Sequence, residues 1–166
     1  MLEDITLRKA VEFAVATEEM GERAYKKLAE KFADHRELRE VFETLAEDEQ
    51  GHANQFKALL DFVPSDDDIL ADDEKRRYLA AMATSKYFRG ESGLAGSLED
   101  VTTVEDALVR VFGFEKATLS FYLAVRDLLG QNPVLDAMIA VERTHVSRLM
   151  KYILADEKMK GLADQS

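Results

Sequence analysis

The chain has 166 residues, of which 46% are hydrophobic and only two are proline; this is enough for one domain with its own core, and suits long uninterrupted helices. A formal charge of -11 argues against a nucleic-acid partner, because such proteins present basic faces; its plain role is solubility. With no cysteine there is no disulfide, thiolate zinc site, iron–sulfur cluster or thiol nucleophile.

The opening "MLEDITLRKAVEF" carries acids and lacks the charged-then-apolar order of a signal peptide. No apolar run approaches the roughly 20 residues that cross a bilayer, so the expectation is a cytoplasmic protein with no membrane association. Thr6 is a candidate N-cap for a first helix over 7–33, with Val11, Ala14, Val15, Leu28 and Phe32 as apolar positions. A second helix is expected over 35–62, beginning at Asp34 or His35 and stopped by Val63-Pro64.

The acidic run from Ser65 to Lys75 lacks the glycine and terminal glutamate of a calcium loop, and reads as a solvated connection. Residues 72–88 fit a shorter helix, and 89–97, with three glycines, a loop. Thr103 caps a third helix over 104–129, with Asp106 at the third helical position as a variant capping box. Gly130 is its stop. Asn132 and Pro133 supply the N-cap and first residue of a fourth helix over 133–155, leaving a frayed tail from Lys160. The whole chain, 1–166, thus reads as one all-α domain: an antiparallel four-helix bundle with short links inside each hairpin and a long crossover over 63–103.

Two helices carry polar residues where a core would place leucine. In "LAEDEQGHANQF" Glu49 and His52 stand three positions apart; in "AVERTHVSRL" Glu142 and His145 repeat that spacing. Residues three apart share a helix face, so each pair presents a carboxylate and an imidazole to one point. The other two helices answer with Glu18 seven residues before Tyr25 and Glu115 seven before Tyr122. Seven residues is two turns, which puts each tyrosine on the face of its glutamate. The order Glu, Tyr, Glu-x-x-His therefore occurs twice, as if in two related hairpins. All six Glu and His positions fall near the middle of their helices, so four carboxylates and two imidazoles would converge at one buried level. Isolated carboxylates there would take up protons instead of staying charged, whereas two divalent cations would balance four negative charges. Glu22, one turn beyond Glu18, is an alternative ligand if it faces the site; the expectation is that it is exposed or supports the site from outside, since it lies about 6 Å further along the axis.

On these residues the sequence resembles the ferritin-like di-iron carboxylate superfamily over nearly its whole length. "ATEEMGERAYKKLAEK" followed by "LAEDEQGHANQF" resembles the rubrerythrin-related branch in particular. The resemblance implies two iron ions per chain, with manganese or a mixed pair as alternatives. It implies terminal ligation by Glu18 and Glu115, bridging by Glu49 and Glu142, and one metal on each of His52 and His145. Tyr25 and Tyr122 match the tyrosines that hydrogen-bond metal-bound carboxylates in that family. Two departures stand out. The cysteine-ligated rubredoxin domain of full-length rubrerythrins has no counterpart in a chain without cysteine, so electrons would come from another protein. Phe112 and Thr118, three residues either side of Glu115, leave no second glutamate there of the kind the family carries.

The expected function is a di-iron oxidoreductase reacting with peroxide or dioxygen, in a homodimer. The alternatives are a ferroxidase or iron-handling protein of bacterioferritin type, and a structural metal-binding module that serves protein interaction.

Overall fold

The protein is described by a computed structural model covering residues 7–61 and 100–163. Four helices account for most of them: α1 Leu7–Lys31, α2 Arg36–Leu60, α3 Val104–Leu129 and α4 Pro133–Ala163. Thr6, the Val63-Pro64 stop, the helix expected over 72–88 and the glycine loop over 89–97 lie outside the described residues.

The helix ends follow local chemistry. After Lys31 the backbone tightens, with Ala33 N–H donating to Glu30 O and His35 N–H to Phe32 O; these three-residue bonds end α1 two residues before the expected point. His35 precedes α2 without any side-chain cap. Thr103 is extended (φ -121°, ψ 156°) and its hydroxyl accepts from Asp106 N–H, satisfying one orphan donor of α3. Gly130 closes α3 at φ 83°, a backbone region that penalises any Cβ. Asn132 Oδ1 accepts from Val134 N–H at 2.9 Å, with Pro133 as first helical residue. α4 then runs to Ala163, past the end expected at 155 and into the segment read as frayed. Glu157, Lys158, Met159, Lys160, Leu162 and Ala163 are all good helix formers, and Gly161 alone does not outweigh them.

Cross-helix contacts set the directions. Arg8 reaches Leu60 O, Lys57 pairs with Glu19 and Gln50 with Glu22, so α1 and α2 are antiparallel. Phe13 lies on Phe121 with ring centroids 4.3 Å apart while Tyr25 meets Glu115; α1 and α3 are likewise antiparallel. Arg126 faces Asp136 and His145 faces Glu115, which sets α4 antiparallel to α3. It follows that α2 and α3 run the same way, so α2 ends and α3 begins at opposite ends of the bundle. A chain of that topology needs one long crossover between its second and third helices.

The core divides in two. Leu28, Phe32, Leu38, Phe42, Leu45, Val111, Phe114 and Leu149 fill one end; Val11, Ala14, Phe56, Phe121, Val125, Leu135, Met138 and Ile139 fill the other. Each fully buried leucine or phenylalanine contributes about 1.5–3 kcal/mol of transfer free energy. Tyr25 belongs to the first cluster and Tyr122 to the second. Between the clusters lies a polar layer.

Candidate metal centre

The layer contains all six Glu and His residues that the spacing singles out. Glu18 on α1, Glu49 on α2, Glu115 on α3, and Glu142 and His145 on α4 are buried; His52 is half-buried. His145 Nδ1 lies 3.3 Å from Glu49 Oε1 and 3.2 Å from Glu115 Oε2. His52 Nδ1 lies 3.5 Å from Glu18 Oε2, and the two imidazole rings stand 5.0 Å apart between centroids. Ligand atoms of Glu49, His52 and His145 all fall within 4.8 Å of one another, as do those of Glu115, Glu142 and His145. His145 therefore stands in both groups, and Glu18 adjoins the first through His52.

Several of these buried atoms have no hydrogen-bond partner: both carboxylate oxygens of Glu18, Glu142 Oε2, His52 Nδ1 and His145 Nε2. Buried polar groups are almost always paired, so a cluster of orphaned acceptors of this kind fits a cation. Oxygen and imidazole nitrogen together are a donor set for iron or manganese.

The electrostatics agree. Burial, reinforced by the neighbouring carboxylates, pushes Glu49 and Glu142 well above the usual carboxylate range. Burial also raises Glu18, but the adjacent Glu49 and His52 and the charge of His145 outweigh it, and its pKa falls. For His145 burial favours the neutral ring; the Glu115 contact and nearby negative charge prevail and raise it. Without a cation the layer thus settles its charge by holding protons.

Tyr25 donates its hydroxyl to Glu115 Oε1; the Tyr122 hydroxyl has no partner, although among the carboxylates Glu18 acts on it most strongly. Burial drives both phenols well above their ordinary pKa, so they remain donors. Glu22 turns away from the layer to Lys26 at 2.6 Å and Gln50 at 3.2 Å. Phe112 packs against the core, and Thr118 donates to Phe114 O.

Gly21 escaped the sequence reading. A Cβ there would stand 3.0 Å from Glu49 Cδ and 3.2 Å from its Oε1, so the missing side chain makes room for the Glu49 carboxylate. The signal was present: an isolated glycine inside a helix lowers stability and usually has a packing or functional reason.

Four helices of this connectivity around a buried carboxylate and histidine layer define a ferritin-like bundle of the di-iron carboxylate class. The family model described as Rubrerythrin matches residues 9–153, and the chain belongs to the rubrerythrin family. No curated protein and no solved structure matched the chain in the same comparisons. Family and cluster together support a di-iron protein.

The pKa directions set a pH dependence for the metal-free protein. Glu49 and Glu142 are raised in the folded state, so the stability they contribute is complete below the ordinary glutamate value and is lost as pH rises through their folded values. His145 is also raised and acts in the same direction, starting from the ordinary histidine value. Glu18, being lowered, changes only in acid. Chelated protein should therefore melt at lower temperature at about pH 8 than at about pH 5. The slope should flatten in Glu49→Gln/Glu142→Gln, and should reverse in metal-loaded protein, whose ligands must be deprotonated. Thermal melts followed by circular dichroism check this; equal slopes in parent and double variant would refute it.

Gly21→Ala should move two quantities in opposite directions. Alanine is favoured by about 0.8–1.0 kcal/mol in a helix interior, so the metal-free variant should melt slightly higher. Displacing the Glu49 carboxylate should weaken metal binding by roughly tenfold, as changes next to metal ligands do. Titration with cobalt(II) and a thermal melt of the same sample decide it, and unchanged affinity would show that Glu49 does not need the space.

Proposed function

We propose that the protein is a rubrerythrin-like di-iron oxidoreductase that reduces peroxide or dioxygen at the buried layer. The observation that carries this reading is the set of unpartnered carboxylate and imidazole atoms, sealed between two apolar clusters inside a rubrerythrin-family bundle. When bound, two irons supply one electron each as they pass from ferrous to ferric, and peroxide takes up two electrons and two protons to give two waters.

The side chains divide the work. Glu49 and Glu142, on helices that give two ligands each, would serve both metals; Glu18 and Glu115 would serve one each, with His52 and His145 completing the set. Tyr25 fixes the Glu115 carboxylate through its hydroxyl, and its raised pKa keeps it a donor at any working pH. The two apolar clusters keep bulk water from the layer, which strengthens each charge interaction within it. Electrons return from a donor outside this bundle, whose residues include no cysteine to build an iron–sulfur relay. The working unit in this reading is a homodimer.

Iron oxidation in the manner of bacterioferritin-type centres is the second reading. It draws support from Phe112 and Thr118, which stand three residues either side of Glu115, so that α3 carries no second glutamate at those positions.

Rapid mixing of di-ferrous protein with peroxide and with dioxygen separates the two. Faster oxidation by peroxide is expected; faster oxidation by dioxygen would favour iron handling, and neither outpacing free ferrous ion would reject both. Metal analysis tests the ligand set independently. Two metals per chain are expected in the parent, with His52→Ala and His145→Ala each weakening one metal, and Glu49→Ala and Glu142→Ala disturbing both. Two metals retained in all four variants would make the cluster an accident of helix composition.

A further inference from the structure

The two imidazoles meet where α2 faces α4, and only one of them touches solvent: the His52 side chain is 17% exposed, that of His145 1%. One turn from each histidine, on the same helix faces, stand Asp48 and Arg148. These two form an ion pair that ties α2 to α4, each about one-third exposed (33% and 36%). The Asp48 charge acts on His145. Beyond it a groove continues along the same two helices, lined by Glu37, Glu40, Val41, Thr44, Arg148 and Tyr152. Arg148 is the one cation among those lining residues, at the place where the groove meets the ion pair.

We infer that this groove is the route by which divalent cations reach the layer, and that the Asp48–Arg148 ion pair is the latch across it. The inference rests on the metal centre proposed above. Glu37 makes the groove attractive to a cation, Glu40 being paired with Arg36, and Asp48 offers a carboxylate on the way in. The Arg148 guanidinium repels a cation at that point while it occupies the Asp48 carboxylate. Parting the pair removes both obstacles and widens the opening between α2 and α4 beside the histidines. A part-exposed pair of this kind is weak and screened by salt, so it opens without disturbing the bundle. His145, being enclosed, would fill after His52.

The test uses metal-free full-length protein, cobalt(II) as the probe, and absorbance to follow uptake and release to a chelator. Arg148→Met removes the charge and keeps an aliphatic side chain of similar reach. Uptake and release should both quicken by about tenfold, with stoichiometry and equilibrium affinity within about twofold of the parent, since a latch alters rates in both directions equally. Lys57→Met breaks the Glu19–Lys57 pair between α1 and α2 with the same loss of charge, and should leave both rates unchanged. The exchange Asp48→Arg/Arg148→Asp rebuilds the pair in reverse and should restore slow exchange. Rates within twofold of the parent in Arg148→Met would overturn the route, as would an equal acceleration in Lys57→Met. Two cobalt ions bound at unaltered rates would remove the route and leave the centre standing, whereas a parent that binds no cobalt would remove both.

Discussion

A carboxylate taken out of water loses hydration worth several kcal/mol, and this bundle takes out four at a single level. Their mutual repulsion compounds the loss: Glu49 and Glu142 are pushed up by burial first and by the other glutamates second. Much of the structure depends on how that is tolerated. The layer sits between two apolar clusters, each packed from all four helices, so the helices are held on both sides of the level that contributes nothing to burial. Gly21 gives up helix stability to let Glu49 approach α1. A protein without cations would have no reason to accept either arrangement.

The two hairpins repeat one sequence scheme, yet their contacts exchange between them. Tyr25 of α1 holds Glu115 of α3, and His145 of α4 meets Glu49 of α2 as well as Glu115. The layer therefore belongs to neither hairpin alone, and the polar contacts that complete it also fix how the hairpins dock. The repeat is not matched by equal environments. His145 is enclosed while His52 reaches solvent, and Tyr25 is bonded while Tyr122 is not. Two candidate ligand sets with the same residue types thus differ in access and in how firmly their carboxylates are held.

Much of this was legible in the sequence because its causes are local. Thr103 with Asp106, Gly130, and Asn132 with Pro133 mark helix ends through chemistry confined to a few neighbouring residues. The Glu-x-x-His spacing works in the same way, since a helix turns three-residue separation into a shared face. What escaped was set by partners distant in the chain. Nothing around Asp48 announces Arg148, a hundred positions away, and charged residues are too common for such a pair to stand out. Gly21 has meaning only once Glu49 lies across it. The end of α4 was placed too early for a different reason: a run of good helix formers continues without apolar periodicity, and the periodic signal stops before the helix does.

The net charge of -11 also reads differently beside the groove. Spread over the whole surface, such charge acts weakly on an arriving cation, because ions screen exposed charges beyond about 8 Å at physiological salt. What a cation meets within that range is decided by a few side chains. At the α2–α4 groove those include Glu37, Glu40 and Asp48, with Arg36 paired to Glu40 and Arg148 to Asp48. The acidic composition acts wherever the groove lies; what decides entry there is local, two of the three acids being held by arginines. A centre that must be dry to work and open to fill needs such a place. The seam beside the one half-exposed ligand is where the bundle provides it.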